Sequence, residues 1–255
     1  MTGGISKWRH VVWIVMENKS YGEIVGSPDA PYENRLAAQC GLAVAYDAVA
    51  HPSLPNYIAM TSGSTQGIAD DDPPAAHMLT SANIFSQLGS DWHALEESMP
   101  VNCDLRSSGE YAVKHDPAAY FLAVRRACQT QDVPLGATPN LSRRFTFVTP
   151  NLCHDMHDCP VGTGDEWLST FLPTLLDSVQ YRSGDTVVFL TFDEDDGSAN
   201  NHVATFVIAP TVPPGTRSTT PFTHYSLLRT TEELLGLGKL GAAATATSMR
   251  AAFRL

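Results

Sequence analysis

Apolar runs that stop abruptly in clusters of acids, amides and histidines recur along this chain. His10–Met16 (HVVWIVM) breaks off at Glu17-Asn18-Lys19-Ser20-Tyr21. Residues 144–149 (RFTFVT) break off at a segment holding Asn151, His154, Asp155, His157 and Asp158. Thr186–Phe192 (TVVFLTF) breaks off at Asp193-Glu194-Asp195-Asp196-Gly197. Such runs mark strands buried on both faces or, where they alternate with β-branched residues, half-buried ones. Shorter strands are predicted at 42–46, 92–96 and 203–208. Helical spacing and stop signals predict helices at 31–40, 83–88, 117–126, 164–178 and 223–235. Strands alternating with helices predict an α/β fold with a mostly parallel sheet. Asp70 to Pro74 reads as surface, and 238–255 as a small, Ala-rich tail.

The segment His51-Pro52-Ser53-Leu54-Pro55-Asn56-Tyr57 reads as a loop turning into a helix that Gly63 ends. Pro55 suits a first helical turn, where its missing N–H costs nothing. Ser53 thus falls at or just before a helix N-terminus, where free N–H groups and the helix dipole favour an anion. A serine oxygen held there can attack a phosphate while the helix end holds the phosphate's oxygens. The plainer alternative is a simple N-cap.

The chain has 255 residues, 43% hydrophobic and 17% charged, with a formal net charge of −11. That length and balance suit one α/β domain over 1–255, with the irregular stretch at about 100–143 read as an insertion covering the active-site face. The acidic charge argues against nucleic acid as a partner. A phosphate-handling enzyme with this charge needs local neutralisation, most simply by a bound cation. No stretch approaches the ~20 apolar residues of a membrane span. No leader is visible in the polar segment Met1 to His10, so the chain either stays inside the cell or has been trimmed. Five cysteines divide naturally into Cys103/Cys128, Cys153/Cys159 and a leftover Cys40, which leans toward an oxidising compartment.

In a parallel sheet the strand C-termini lie along one edge, so these polar clusters can converge. Glu17, Asn18, Asp193 and Glu194 are hard oxygen donors suited to Mg²⁺, Ca²⁺ or Mn²⁺, while imidazoles pull toward zinc. A divalent cation neutralises phosphate oxygens and activates a nucleophile. His51, His157 and His224 are candidates to donate to the phosphoryl group or to protonate the leaving alcohol.

These motifs together resemble the phosphoesterase family of the alkaline phosphatase superfamily, which contains bacterial acid phosphatases and phospholipases C. The resemblance runs from about Val11 to Leu235 and is nearest to secreted actinobacterial acid phosphatases. It implies a three-layer α/β/α sandwich of the alkaline phosphatase type. It implies Ser53 as nucleophile, one divalent metal on Glu17, Asn18, Ser53, Asp193 and Glu194, and Asn56 as a phosphate-oxygen donor, with His51 and Asp155 beside the phosphate. Members with two zincs carry Asp-His where this chain has Asp193-Glu194, so one metal is expected, with Asp155, His157 and His224 lining the place of a second. His157 or His224 is the expected general acid; His202 and Glu97 read as ordinary surface residues. The expected activity is a metal-dependent phosphomonoesterase working through a phosphoserine, acting on a small-molecule phosphate ester. A phospholipase C or other phosphodiesterase is the nearest alternative within chemistry. A non-catalytic phospho-ligand-binding protein is the alternative from another class.

Overall fold

The computed structural model describes residues 7–255. The polar opening read at Met1 to His10 lies outside the described residues as far as residue 6. The strands among the described residues are β1 His10–Met16, β2 Gly41–Ala43, β3 Tyr46–Asp47, β4 Trp92–Glu96, β5 Asp132–Pro134, β6 Phe145–Thr149, β7 Thr186–Phe192, β8 Thr205–Ile208, β9 Arg217–Ser218 and β10 Phe222–Thr223. Eight build one sheet in the order β5-β4-β6-β1-β7-β8-β2-β9. The five strands from β5 to β7 run parallel, and β8 is antiparallel to both its neighbours.

The long apolar runs take the centre. Strand β1 lies between β6 and β7, and Val11 to Met16 have no exposed surface. Burying side chains of this size contributes ~1.5–3 kcal/mol each. The helices that position the site and its supports are α1 Tyr21–Ile24, α2 Pro31–Gln39, α3 Ser53–Ser62, α4 Ile84–Leu88, α5 Arg125–Gln131, α6 Val161–Leu176, α7 Val179–Arg182, α8 His224–Leu235 and α9 Arg250–Phe253. Helices α3 and α8 pack together on the face that carries Trp13, whose indole N–H donates to Thr231 at 2.9 Å. Helices α2 and α6 pack on each other, and α7 joins α6 and β7, completing the α/β/α arrangement.

Several boundaries differ from the sequence expectation. The strand expected at 42–46 is two short strands. Strand β2 joins the main sheet, while β3 pairs in parallel with β10 in a small second sheet. The helix expected at 117–126 is a series of tight turns, 117–120 and 122–124, that becomes α-helical only at α5. Pro117 and the buried Asp116, whose carboxylate accepts from Ala119 N–H at 3.3 Å, favour a short capped turn over a long helix. The 100–143 stretch adds β5 to the sheet edge and sends Tyr111, Val113, Tyr120 and Phe121 into the common core. Disulfides join Cys103 to Cys128 and Cys153 to Cys159, and Cys40 is free.

Candidate active site

Three neighbouring parallel strands deliver three carboxylates to one place. Glu17 follows β1, Asp155 lies beyond β6 and Asp193 follows β7. Backbone bonds stitch these ends together: Glu17 N–H donates to the Asp155 carbonyl at 2.8 Å, and Asp193 N–H to the Met16 carbonyl at 3.0 Å. Asn18 takes a left-handed turn, φ +50°, and donates its N–H to Asp193 Oδ1 at 3.2 Å. Asparagine tolerates that conformation better than most residues.

Ser53 arrives from the other side as the first residue of α3, with Pro52 at the cap position and no side-chain cap. Its hydroxyl is not spent on capping. It reaches Glu17 Oε2 at 3.0 Å and Glu194 Oε1 at 3.3 Å. All ten residues of α3 are buried, as expected of a helix apolar nearly all round. Gly63 ends it at φ +77°, against the Leu240 carbonyl, where a Cβ has no room.

Glu17, Asn18, Ser53, Asp193 and Glu194 therefore meet. Burial comes first in raising the carboxyls of Glu17, Asp193, Glu194 and Asp155, and for Glu17 the charges of Asp193 and Asp155 add to it. Glu194 and Asp155 are each pushed up to about 7. Asn18 Oδ1 and Asp193 Oδ2 are buried without any hydrogen-bond partner. Buried acceptors normally find donors, so orphaned oxygens beside a carboxylate cluster fit a hard divalent cation.

Two basic groups and an acid that the sequence reading left out stand here. His115 is buried with its ring flat against Tyr57, centroids 5.3 Å apart. It lies 3.3 Å from both Glu17 Oε1 and Asp155 Oδ2. Burial, then the charges of Lys114 and His157, hold it well below its ordinary value. Tyr57 donates its hydroxyl to Glu17 Oε1. Lys114 donates to Asp71 Oδ2 at 3.0 Å and lies 3.3 Å from His157 Nε2. Burial alone weakens its ammonium, but Glu17, Asp71 and Asp193 outweigh that and hold it above its ordinary value. Asp71 Oδ1 also accepts the Leu54 N–H at 3.0 Å, so a carboxylate occupies the start of α3. The only sequence signal for Lys114 and His115 was the polar triplet Lys114-His115-Asp116 inside an apolar stretch.

Other expected residues turn out to be supports. His224 is fully buried, with Nε2 bonded to the Asp193 carbonyl at 2.6 Å and Nδ1 to the Tyr46 hydroxyl at 3.1 Å. Burial presses it down to about 4 against the pull of that carbonyl. With both nitrogens satisfied inside the core it meets no substrate and is no general acid; it fixes Asp193. Asn56, expected to hold phosphate, accepts from Val49 and Ala50 N–H at 3.1 and 3.0 Å and donates to the Ala50 carbonyl at 2.9 Å, pinning the loop before Ser53, and its amide also reaches Glu194 Oε2 at 3.4 Å. His51, also expected at the phosphate, is clamped between Glu194 Oε2 at 2.7 Å and Asp195 Oδ1 at 3.2 Å. Asp155 sits behind His115 and accepts the His157 N–H at 2.7 Å rather than facing open space. Asp71 is no plain surface acid. His157 does reach the site edge, its Nδ1 held by Asp158 Oδ1 at 2.6 Å. His202 donates from Nε2 to the Val44 carbonyl, and Glu97 is taken up by His154 and Trp167, so both stay apart.

A cavity of about 550 Å³ opens beside Lys114, Asp71 and His157, with Pro73, Val113 and Leu152 among its walls. That volume is in the ~300–1,000 Å³ range of small-molecule sites. Among the described residues, no helix is long and apolar enough to cross a membrane.

Known proteins match this architecture and this sequence. A mycobacterial phosphatidylinositol-3-phosphatase (Mycobacterium tuberculosis) is 35% identical over 93% of this chain and 80% of its own length. A phosphate-repressible acid phosphatase of Penicillium chrysogenum is 32% identical over 84% of this chain, which spans only 57% of that protein. Among solved structures, an alkaline phosphatase superfamily protein of Vibrio parahaemolyticus superposes with a TM-score of 0.62 at 12% identity, over 95% of this chain and 71% of that one. The lipoteichoic acid synthase LtaP of Listeria monocytogenes does so with 0.65 at 10%, over 96% and 77%. At such identities the likeness is one of fold. The model of the phosphoesterase family matches residues 27–238, and with it the chain belongs to the phosphoesterase family and is a phosphoric ester hydrolase.

Proposed function

We propose that the protein is a metal-dependent phosphomonoesterase in which Ser53 is transiently phosphorylated. The observation that carries this is the Ser53 hydroxyl, held at the start of a buried helix and aimed at two carboxylates beside orphaned oxygens. The names acid phosphatase and phosphatidylinositol-3-phosphatase belong to the relatives, and we carry their monoester chemistry over to this chain.

Glu17, Asn18, Ser53, Asp193 and Glu194 would hold the cation. When bound it supplies charge neutralisation and lowers the serine's affinity for its proton. Ser53 Oγ attacks phosphorus, forming the serine O–P bond as the ester P–O bond breaks. The hydroxyl proton passes to the carboxylate it already faces. Leu54 N–H and Lys114, both now on Asp71, are the donors a phosphate can take over. Lys114 keeps its proton and acts through its charge. His157, with Nδ1 on Asp158 and Nε2 toward Lys114, lines the same cavity and is the general acid for the leaving oxygen once the phosphate draws Lys114 away from it. Water then attacks the phosphoserine and releases phosphate.

A phosphodiesterase, phospholipase C included, is the second reading. The apolar walls at Pro73, Val113 and Leu152 favour it, since a diester keeps a second substituent near the site. A panel of mono- and diesters run across Mg²⁺, Ca²⁺, Mn²⁺ and Zn²⁺ decides between them. The monoesterase reading expects monoesters to be hydrolysed far faster with at least one ion. Faster diester turnover with every ion overturns it.

A further inference from the structure

The wall of the cavity beside Lys114 is uneven in charge. Its acids are matched: Asp71 by Lys114 and the Leu54 N–H, Asp158 by His157. Arg106 is not. Its backbone N–H donates to Asp104 Oδ1 at 3.1 Å, but its guanidinium makes no hydrogen bond or ion pair among the described residues. Arg106 also lines a second cavity of about 310 Å³, which shares Pro73 with the first and adds Pro74, Met78, Leu105 and Arg125. Met78 and Leu105 are 58% and 37% exposed. Arg106 thus stands at the junction of two adjoining cavities, the inner one ending at Lys114 and His157, the outer one mostly apolar. In a chain of net charge −11, an uncommitted guanidinium in that place runs against the general field.

We propose that Arg106 reads a second phosphate on the leaving alcohol of the ester hydrolysed at Ser53. The proposal rests on the phosphomonoesterase reading above and names its substrate class: an alcohol bearing one phosphate for cleavage and another anionic phosphate for recognition. The planar guanidinium fork matches two phosphate oxygens at once. The position favours phosphate over carboxylate, because a carboxylate ends where it binds. A phosphate held at the junction can be a free monoester or a diester whose further substituent enters the outer cavity. The first is a soluble bisphosphate; the second is the headgroup of a lipid.

The test compares phosphate release from propanediol monophosphate, propanediol bisphosphate, and a propanediol phosphate whose second phosphate is a diester to a short-chain diacylglycerol, kept below its micelle concentration. p-Nitrophenyl phosphate reports the reaction itself. The wild type is expected to favour the two doubly phosphorylated esters over the monophosphate by about tenfold in kcat/KM, beyond the twofold statistical gain of the symmetrical bisphosphate. Arg106→Ala collapses that preference, Arg106→Lys restores part of it, and added salt weakens it. Arg217→Ala, an exposed edge-strand residue, makes the same change in net charge and leaves the preference standing. A preference confined to the soluble bisphosphate identifies that source, and one confined to the diester identifies the lipid, provided Arg106→Ala removes it. A wild type with no preference, or a preference that survives Arg106→Ala, overturns the proposal while leaving the phosphomonoesterase intact. A wild type that hydrolyses none of the four esters with any divalent ion overturns both.

Discussion

Two carboxylate clusters are buried along the same edge of this sheet, and they differ in what surrounds them. One is Glu17, Asp155, Asp193 and Glu194. The other is Glu96, Asp116 and Asp132, where β4 ends and β5 begins. All seven residues are at most 5% exposed. In both clusters burial is the first cause that raises the carboxyls, and in both some oxygens lack partners. The first cluster, however, faces a serine hydroxyl and adjoins Lys114, which with Asp71 and His157 lines an open cavity. The second has the Tyr111 hydroxyl on Asp116 at 3.0 Å, the charge of Arg125 acting on Asp132, and a neighbouring disulfide at Cys128. Buried acid alone therefore says little about chemistry. A nucleophile aimed at the acids, and neighbours that line a cavity, set the first cluster apart.

The sharpest way to break the comparison is to remove the nucleophile. Ser53→Ala is expected to cut turnover by roughly 10³-fold or more while costing only about 1 kcal/mol of stability, read by steady-state kinetics and thermal melting. Exhaustive chelation is expected to abolish activity and a divalent ion to restore it; full activity after chelation removes the cation from the account. Lys114→Ala is expected to lower kcat by about 10²-fold, the scale of losing one preorganised charge at a transition state.

The smallest effect belongs to the sealed cluster. Glu96, Asp116 and Asp132 all bind protons more tightly when folded, Asp116 at about 6 against an ordinary 3.8. A raised carboxyl gives stability that is complete below its unfolded value and is lost as pH rises through its folded value. For Asp116 that window runs from about 3.8 to about 6, with Glu96 and Asp132 extending it upward. Melting temperature should fall as pH rises through this range. Asp132→Asn, whose amide can donate to its neighbours, should flatten that fall and stabilise the protein by about 1 kcal/mol at pH 7, with kcat within twofold. A large loss of activity in this variant joins the two clusters functionally and breaks the comparison.

Much of the first cluster was legible because its residues come directly after long apolar runs. His10–Met16 and Thr186–Phe192 announce buried strands, and side chains at the carboxyl ends of buried parallel strands gather at one edge of the sheet. Ser53 was legible through local chemistry, two prolines and a terminal glycine around a short apolar helix. His115 and Lys114 were not, since they sit on a three-residue turn whose position is set only by tertiary packing. Asp71 was hidden for the same reason: nothing in Asp70-Asp71-Asp72 tells which acid turns inward to Leu54. His224 misled in the opposite direction. A histidine opening a helix near acidic segments resembles a catalytic group, and only its depth and its bond to a backbone carbonyl reveal a support.

The central claim is that Ser53 itself takes the phosphoryl group. Rapid acid quench of the metal-loaded enzyme during turnover of p-nitrophenyl phosphate, followed by peptide mass spectrometry, tests it directly. The account predicts one phosphoryl adduct on the peptide carrying Ser53, formed in a burst and absent from Ser53→Ala. An adduct on another residue, or turnover with no adduct and no burst, would contradict it.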